Sequence, residues 1–169
     1  DTRFSVVRYG NVAGSRGSVI PYFKDLIDSG VTKLPITDLR MTRFWLKLED
    51  AVDMVLMALD IMRGGELFVK KTPSMKVTEL AKAISPNSDF DSIGIRPGEK
   101  IHEVMITKED ARNTLEFDKY YIVKPSLGLN YLDKFYKDGK IVDKDFEYHS
   151  GNNKEWLTIN QMKELINVL

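Results

Sequence analysis

Phe4-Ser5-Val6-Val7-Arg8, then Gly10-Asn11-Val12-Ala13-Gly14-Ser15-Arg16-Gly17, then Ser18-Val19-Ile20-Pro21-Tyr22-Phe23 is the stretch that decides the fold class. The first run is β-branched and aromatic, which suits a pleated, buried strand. The second is glycine-rich and reads as a loop. In the third, Ser18 is placed to cap a helix, Pro21 falls in a first turn where N–H groups lack partners anyway, and Val19, Phe23, Leu26 and Ile27 recur at helical spacing until Gly30. The order is strand, loop, helix.

Working outward, a second helix is expected from Glu49 and Asp50, favourable at its positive end, through Val52, Val55, Leu56, Leu59 and Met62 on one face, to Gly64-Gly65. A strand over 66–69 follows. A short helix is expected over 78–84, then a loop through Pro86 and Asn87. A strand around Ile93 and Ile95 leads into Arg96-Pro97-Gly98-Glu99-Lys100, and another is expected over 117–123. Residues 130–153 are polar and weakly periodic, fitting a surface excursion or a partner-ordered segment, and no element is assigned there. Near the C-terminus, Thr158 and Gln161 form a capping-box pair and Leu157 and Met162 a hydrophobic staple, opening a helix that places Ile159, Met162, Ile166 and Leu169 on one face. Strands alternating with helices imply an α/β domain with some parallel pairing.

Composition removes several function classes. The 169 residues carry 25 basic and 25 acidic side chains and no cysteine. A zero balance argues against a sequence-independent nucleic-acid binder or an anionic-membrane binder, which need surplus Lys and Arg. Without cysteine there is no disulfide scaffold, Cys-ligated zinc, iron–sulfur cluster or thiol catalysis. Two histidines, His102 and His149, have no ligand-spaced companions and read as surface or packing residues. No apolar run approaches the roughly 18 residues of a membrane span, no signal peptide is visible, and a cytoplasmic protein is expected. Because Asp1-Thr2-Arg3 runs without Met straight into a strand, an N-terminal portion is expected outside this sequence.

The glycine loop invites a phosphate, since it joins a strand to a helix N-terminus. Its spacing, G-x-x-x-G-x-x-G at Gly10, Gly14 and Gly17, is not the dinucleotide fingerprint, and a plain connection is the competing reading. Tyr-x-x-x-Lys occurs at Tyr120/Lys124 and Tyr136/Lys140, where chance alone gives about 0.7 such pairs in a chain of this composition. The first lies in a strand-like run and the second encloses Gly139, so neither stacks its side chains one helical turn apart. Five of the eight arginines fall within the first 43 residues, Arg16, Arg40 and Arg43 among them. Their planar forks suit diphosphates, against the simpler reading of surface arginines. Arg96 sits beside a rigid Pro-Gly turn, with Glu99 either its ion-pair partner or the cap of a helix beginning near Lys100.

Five runs, 8–12, 14–19, 35–38, 41–45 and 95–100, resemble in order and spacing the C-terminal half of the inverting UDP-N-acetylglucosamine 4,6-dehydratases of the extended short-chain dehydrogenase/reductase superfamily. Phe146-Glu147-Tyr148, Asn152-Asn153 and Trp156-Leu157 resemble that family's tail. The resemblance implies that residues 1–169 form the C-terminal part of an NAD(P)-binding Rossmann-like fold, the last parallel strands interleaved with a small α/β substrate-binding subdomain. The dinucleotide loop and the catalytic residues would lie upstream of Asp1. It implies that Val12, Ala13, Gly14, Ser15 and Arg16 line the NADP side of the cleft. Asn11, Val19, Thr37, Arg43, Arg96 and Glu99 would hold the UDP-sugar, Arg43 and Arg96 clamping its diphosphate. The implied reaction oxidises sugar C4, eliminates water across C5 and C6, and returns hydride to C6 with inversion at C5. The product is a 4-keto-6-deoxy UDP-sugar for surface or flagellar glycans such as those carrying pseudaminic acid. The implied partners are UDP-N-acetylglucosamine, the chain's own N-terminal half and further copies in a homo-oligomer. Isolated, this half is expected to be inactive and, with a sheet edge and face uncovered, to self-associate. A UDP-sugar 4-epimerase and a non-catalytic UDP-binding module are the alternatives.

Overall fold

The computed structural model describes residues 2–125 and 134–168. The chain folds as two compact units interleaved along the sequence: residues 1–10, 49–72 and 104–149 form one, and residues 11–48, 73–103 and 150–169 the other. The mixed α/β class with parallel strands is the one expected.

In the first unit, β1 (Val6–Arg8) lies parallel to β5 (Leu67–Lys70), followed in the sheet by β10 (Tyr120–Val123), β9 (Thr114–Glu116) and β11 (Lys140–Ile141), all antiparallel. The stretch expected as one strand over 117–123 is a hairpin instead. The Phe117 N–H donates to the Tyr120 carbonyl at 2.9 Å, so the chain turns at Asp118-Lys119 and the two rings stack at 4.8 Å. The expected helix is α2 (Leu48–Ile61). Ala51, Met54 and Ala58 are buried, whereas Val52, Val55, Leu56 and Leu59 are 45–65% exposed. Small side chains let the helix backbone approach close, and Met54 and Ala58 pack with Phe68, Leu115, Ile122 and Tyr136. Within 130–153, residues 130–133 lie outside the description, and β11 and β12 (Tyr148–His149) are short strands where none was assigned.

The second unit holds β2 (Asn11–Val12), β4 (Thr42–Leu46) and β6 (Ser74–Lys76) in one sheet, and β3 (Lys33–Ile36) parallel to β7 (Asp89–Ser92) in another. The strand expected around Ile93 and Ile95 therefore falls earlier, and both isoleucines are exposed. Helices α1 (Val19–Asp28), α3 (Val77–Ile84) and α5 (Ile159–Asn167) complete it. Ser18 has the extended backbone of an N-cap, but its hydroxyl makes no capping bond. Thr158 and Gln161 form the predicted reciprocal box. Met162 and Ile166 pack with Trp45, Met75 and Leu80; Leu169 lies outside the described residues. No helix among the described residues is long and apolar enough to cross a membrane.

Candidate functional site

The second unit contains a cavity of about 350 Å³, and Asn11, Val19, Thr37, Arg43, Arg96 and Glu99 all line it. Local structure explains the convergence. Asn11 is the first residue of β2, hydrogen-bonded in register beside Trp45 of β4. Val19 is the first residue of α1, whose N-terminus faces the cavity through Gly17 and Ser18. Thr37 follows β3. Gly98, at φ +87°, takes the position of a turn that only glycine adopts without strain after Pro97, and the Glu99 N–H closes the turn on the Arg96 carbonyl at 3.0 Å. Glu99 caps no helix, since none begins at Lys100; its carboxylate accepts the Arg96 N–H at 3.0 Å, which leaves its other oxygen for a ligand.

The arginines differ in what they have left to offer. Arg43 is 14% exposed, and its Nη1 donates to the Thr42 carbonyl at 2.7 Å and the Ile101 carbonyl at 3.2 Å while Nε faces Glu103 at 3.3 Å. Burial lowers its ionisation from the ordinary guanidinium value, and the carboxylates of Glu103 and Glu99 oppose that. Its Nη2 has no protein partner among the described residues, nor does the Arg96 guanidinium. Arg40, grouped with them by sequence, is consumed locally: it grips Asp38 through Nε at 3.0 Å and Nη2 at 2.7 Å, and these hydrogen bonds hold the Asp38 carboxyl at about 2.

Sequence reasoning missed two lining groups. Ser18 Oγ and Trp45 Nε1 are buried without a hydrogen-bond partner among the described residues, and both residues line this cavity. A buried donor left unpaired costs about 1–3 kcal/mol, so an acceptor on a bound ligand is the natural partner. The signal for Ser18 was its place at a helix start; nothing in sequence distinguished Trp45 from a core tryptophan.

Of the five residues assigned to the cofactor side, Ala13 packs its side chain into the core with Ile20 and Trp45, and Val12 pairs with Leu46 of β4. Gly14, at φ +72°, Ser15 and Arg16 are exposed. None of the five lines the cavity. The rejected Tyr-x-x-x-Lys pairs stay apart: Tyr120 is in β10, and the Tyr136 hydroxyl donates to Glu66 at 2.8 Å.

Comparison with known proteins fixes the family. A family model described as polysaccharide biosynthesis protein matches residues 1–125. The chain belongs to that family. Among curated relatives, the inverting UDP-N-acetylglucosamine 4,6-dehydratase of Campylobacter jejuni serotype O:2 is 49% identical over 98% of this chain and 52% of its own length. The UDP-glucose 4-epimerase of Rickettsia typhi is 39% identical over 98% of this chain and 50% of its own. The X-ray structure of Pen from Bacillus thuringiensis superimposes with a TM-score of 0.82 at 31% identity, over 98% of this chain and 50% of that one. The chain spans about half the length of the curated relatives it matches.

Proposed function

We propose that this chain is the substrate-binding half of a cytoplasmic UDP-N-acetylglucosamine 4,6-dehydratase of the inverting kind, in which Arg43 and Arg96 bind the diphosphate of the UDP-sugar. The observation that carries the reading is the cavity lined by Arg43, Arg96 and the first residues of α1 together. Two guanidiniums and a helix N-terminus lining one cavity suit two phosphates. The free oxygen of Glu99 suits a sugar hydroxyl, and Asn11, Thr37 and Ser18 supply further polar contacts. Remote binding of UDP then positions the sugar for chemistry carried by residues outside this chain.

NADP fits as the cofactor of that chemistry, and the part of this chain that reaches it is the loop 12–16. Arg16 stands exposed there without a partner among the described residues, which suits a phosphate, while the buried Ala13 offers its backbone only. When bound, the cofactor supplies reversible hydride transfer with the sugar. The exposed stripe of Val52, Val55, Leu56 and Leu59 is assigned to the remainder of the polypeptide, because relatives are about twice this length and a parallel sheet ordinarily has both faces covered. The identity to epimerases supports UDP-sugar 4-epimerisation as the second reading.

Calorimetric titration of the purified chain with UDP tests the clamp. The parent binds, and Arg96→Ala weakens binding about 30-fold, the equivalent of about 2 kcal/mol for one charge-assisted contact. Arg40→Ala, whose fork serves Asp38, changes affinity less than about threefold. Absence of binding by a folded chain refutes a diphosphate clamp carried by this half. Product analysis of the full-length polypeptide by NMR separates a 4-keto-6-deoxy sugar from a C4 epimer.

A further inference from the structure

Arg43 lines the cavity with Nη2 left unpaired because Nη1 and Nε are held by the Thr42 carbonyl and a short segment, Ile101-His102-Glu103, and that segment is itself held from behind. Thr42 N–H donates to the Ile101 carbonyl at 3.0 Å, and Ser150 N–H donates to the Glu103 carbonyl at 2.8 Å. Ser150 Oγ accepts the Glu103 N–H at 2.9 Å and donates to the Thr42 carbonyl at 3.1 Å, the same carbonyl that receives Arg43 Nη1. Thr42 and Ser150 are 2% and 0% exposed, so water does not substitute for any of these bonds.

Behind Thr42 the two hydroxyls and an imidazole form one continuous hydrogen-bonded row. Ser150 Oγ and Thr42 Oγ1 share a hydrogen bond at 2.7 Å, and Thr42 Oγ1 shares another with His102 Nδ1 at 2.8 Å. Each hydroxyl has one hydrogen, so the protons of the row orient together. Gly151 packs against the imidazole, where an added Cβ would fall 2.6 Å from Nδ1 and 2.7 Å from Cε1. The glycine is there for space: its φ is not in the left-handed region.

We infer that His102, Thr42 and Ser150, with Gly151 against the ring, form a relay of positioning residues that holds the cavity-lining Arg43 guanidinium in the one orientation that leaves Nη2 for a ligand. None of them lines the cavity. They act by fixing both carbonyls and the carboxylate on which Arg43 rests, so that the guanidinium pays no ordering entropy when an anion arrives. The inference rests on the diphosphate reading only for the identity of that anion.

Two readouts on the purified chain keep the two separable. The first is the Arg43 Nε–H resonance in a ¹H–¹⁵N spectrum without ligand, identified by its loss in Arg43→Lys. The second is UDP affinity by calorimetry. Thr42→Val keeps the shape and removes the relay's central oxygen: the Nε–H peak moves, its exchange with water rises at least about fivefold, and UDP binding weakens about tenfold. Thr42→Ser restores both to within about twofold. Ile166→Ala, which loosens the same core without touching the relay, lowers the melting temperature and leaves the Arg43 peak in place. Where Thr42→Val fails to fold, Ser150→Ala strips the relay from its other end with the same expected result. A folded Thr42→Val or Ser150→Ala chain with an unmoved Arg43 resonance overturns the inference. A moved resonance in a chain whose parent does not bind UDP upholds it and overturns the diphosphate reading instead.

Discussion

Glu66→Gln is the most informative single change in the first unit, because one buried carboxylate there gathers four donors. Glu66 is 1% exposed, and it accepts from Ser5 Oγ at 2.6 Å, Tyr136 Oη at 2.8 Å, and the Arg63 and Gly64 N–H groups at 2.7 and 2.8 Å. Burial pushes its ionisation upward, yet the four hydrogen bonds outweigh it and the carboxyl ends below its ordinary value. The amide of glutamine keeps the volume but turns one acceptor into a donor aimed at donors. At least one buried N–H or O–H is then orphaned, at about 1–3 kcal/mol, and the remaining bonds lose charge assistance, so a total near 3 kcal/mol is expected. For a chain of this size that lowers the melting temperature by about 6–12 °C. The pH dependence has a definite sign. A carboxyl whose folded ionisation lies below its unfolded one contributes stability above about pH 4.3, and that contribution is lost as pH falls below it. Urea unfolding followed by circular dichroism at pH 7 and pH 3.5 therefore shows the parent losing its advantage over Glu66→Gln in acid. Equal stability of the two at pH 7, or a gap between them that persists unchanged at pH 3.5, refutes the reasoning. Tyr136 behaves oppositely: burial, then the bond to Glu66, raises its ionisation, so its contribution is complete below about pH 10 and fades above.

Gly98→Ala meets no atom within 4 Å, so it strains only the backbone, by about 1–2 kcal/mol; it weakens UDP binding by misplacing Arg96, and calorimetry reads the change. Thr158→Ala removes the hydroxyl that caps α5 and lowers stability by about 1 kcal/mol in urea titrations. Leu56→Glu with Leu59→Glu leaves the stability of the isolated chain within about 0.5 kcal/mol, since both side chains are more than half exposed, and it reduces self-association in light scattering; a large stability loss contradicts the exposed orientation of α2.

What sequence made legible was local. The β-branched run before Gly10 marked β1, although that strand lies at the sheet edge with Val6 59% and the preceding Phe4 78% exposed rather than buried, and Thr158 with Gln161 opened α5 where the structure opens it. The six positions picked by family resemblance line a single cavity, brought there by two strands, a helix start and the loops after β3 and β7. The failures involve choices that periodicity does not encode. The β3–β7 pair was invisible because Pro35 and the polar Asp89-Phe90-Asp91-Ser92 carry little strand signal, and their pairing is non-local. His102 looked ordinary because its partner Thr42 is 60 residues away.

The second unit draws its last strip of core from residues 150–168, where Met162 and Ile166 cover Trp45, Met75 and Leu80 and where Ser150 reaches back to Thr42. During vectorial synthesis the second unit therefore waits for Ser150 and α5. A nascent or proteolytically clipped chain ending near Tyr148 exposes a tryptophan-centred apolar surface, presenting chaperones and proteases with a signal that the intact chain keeps covered.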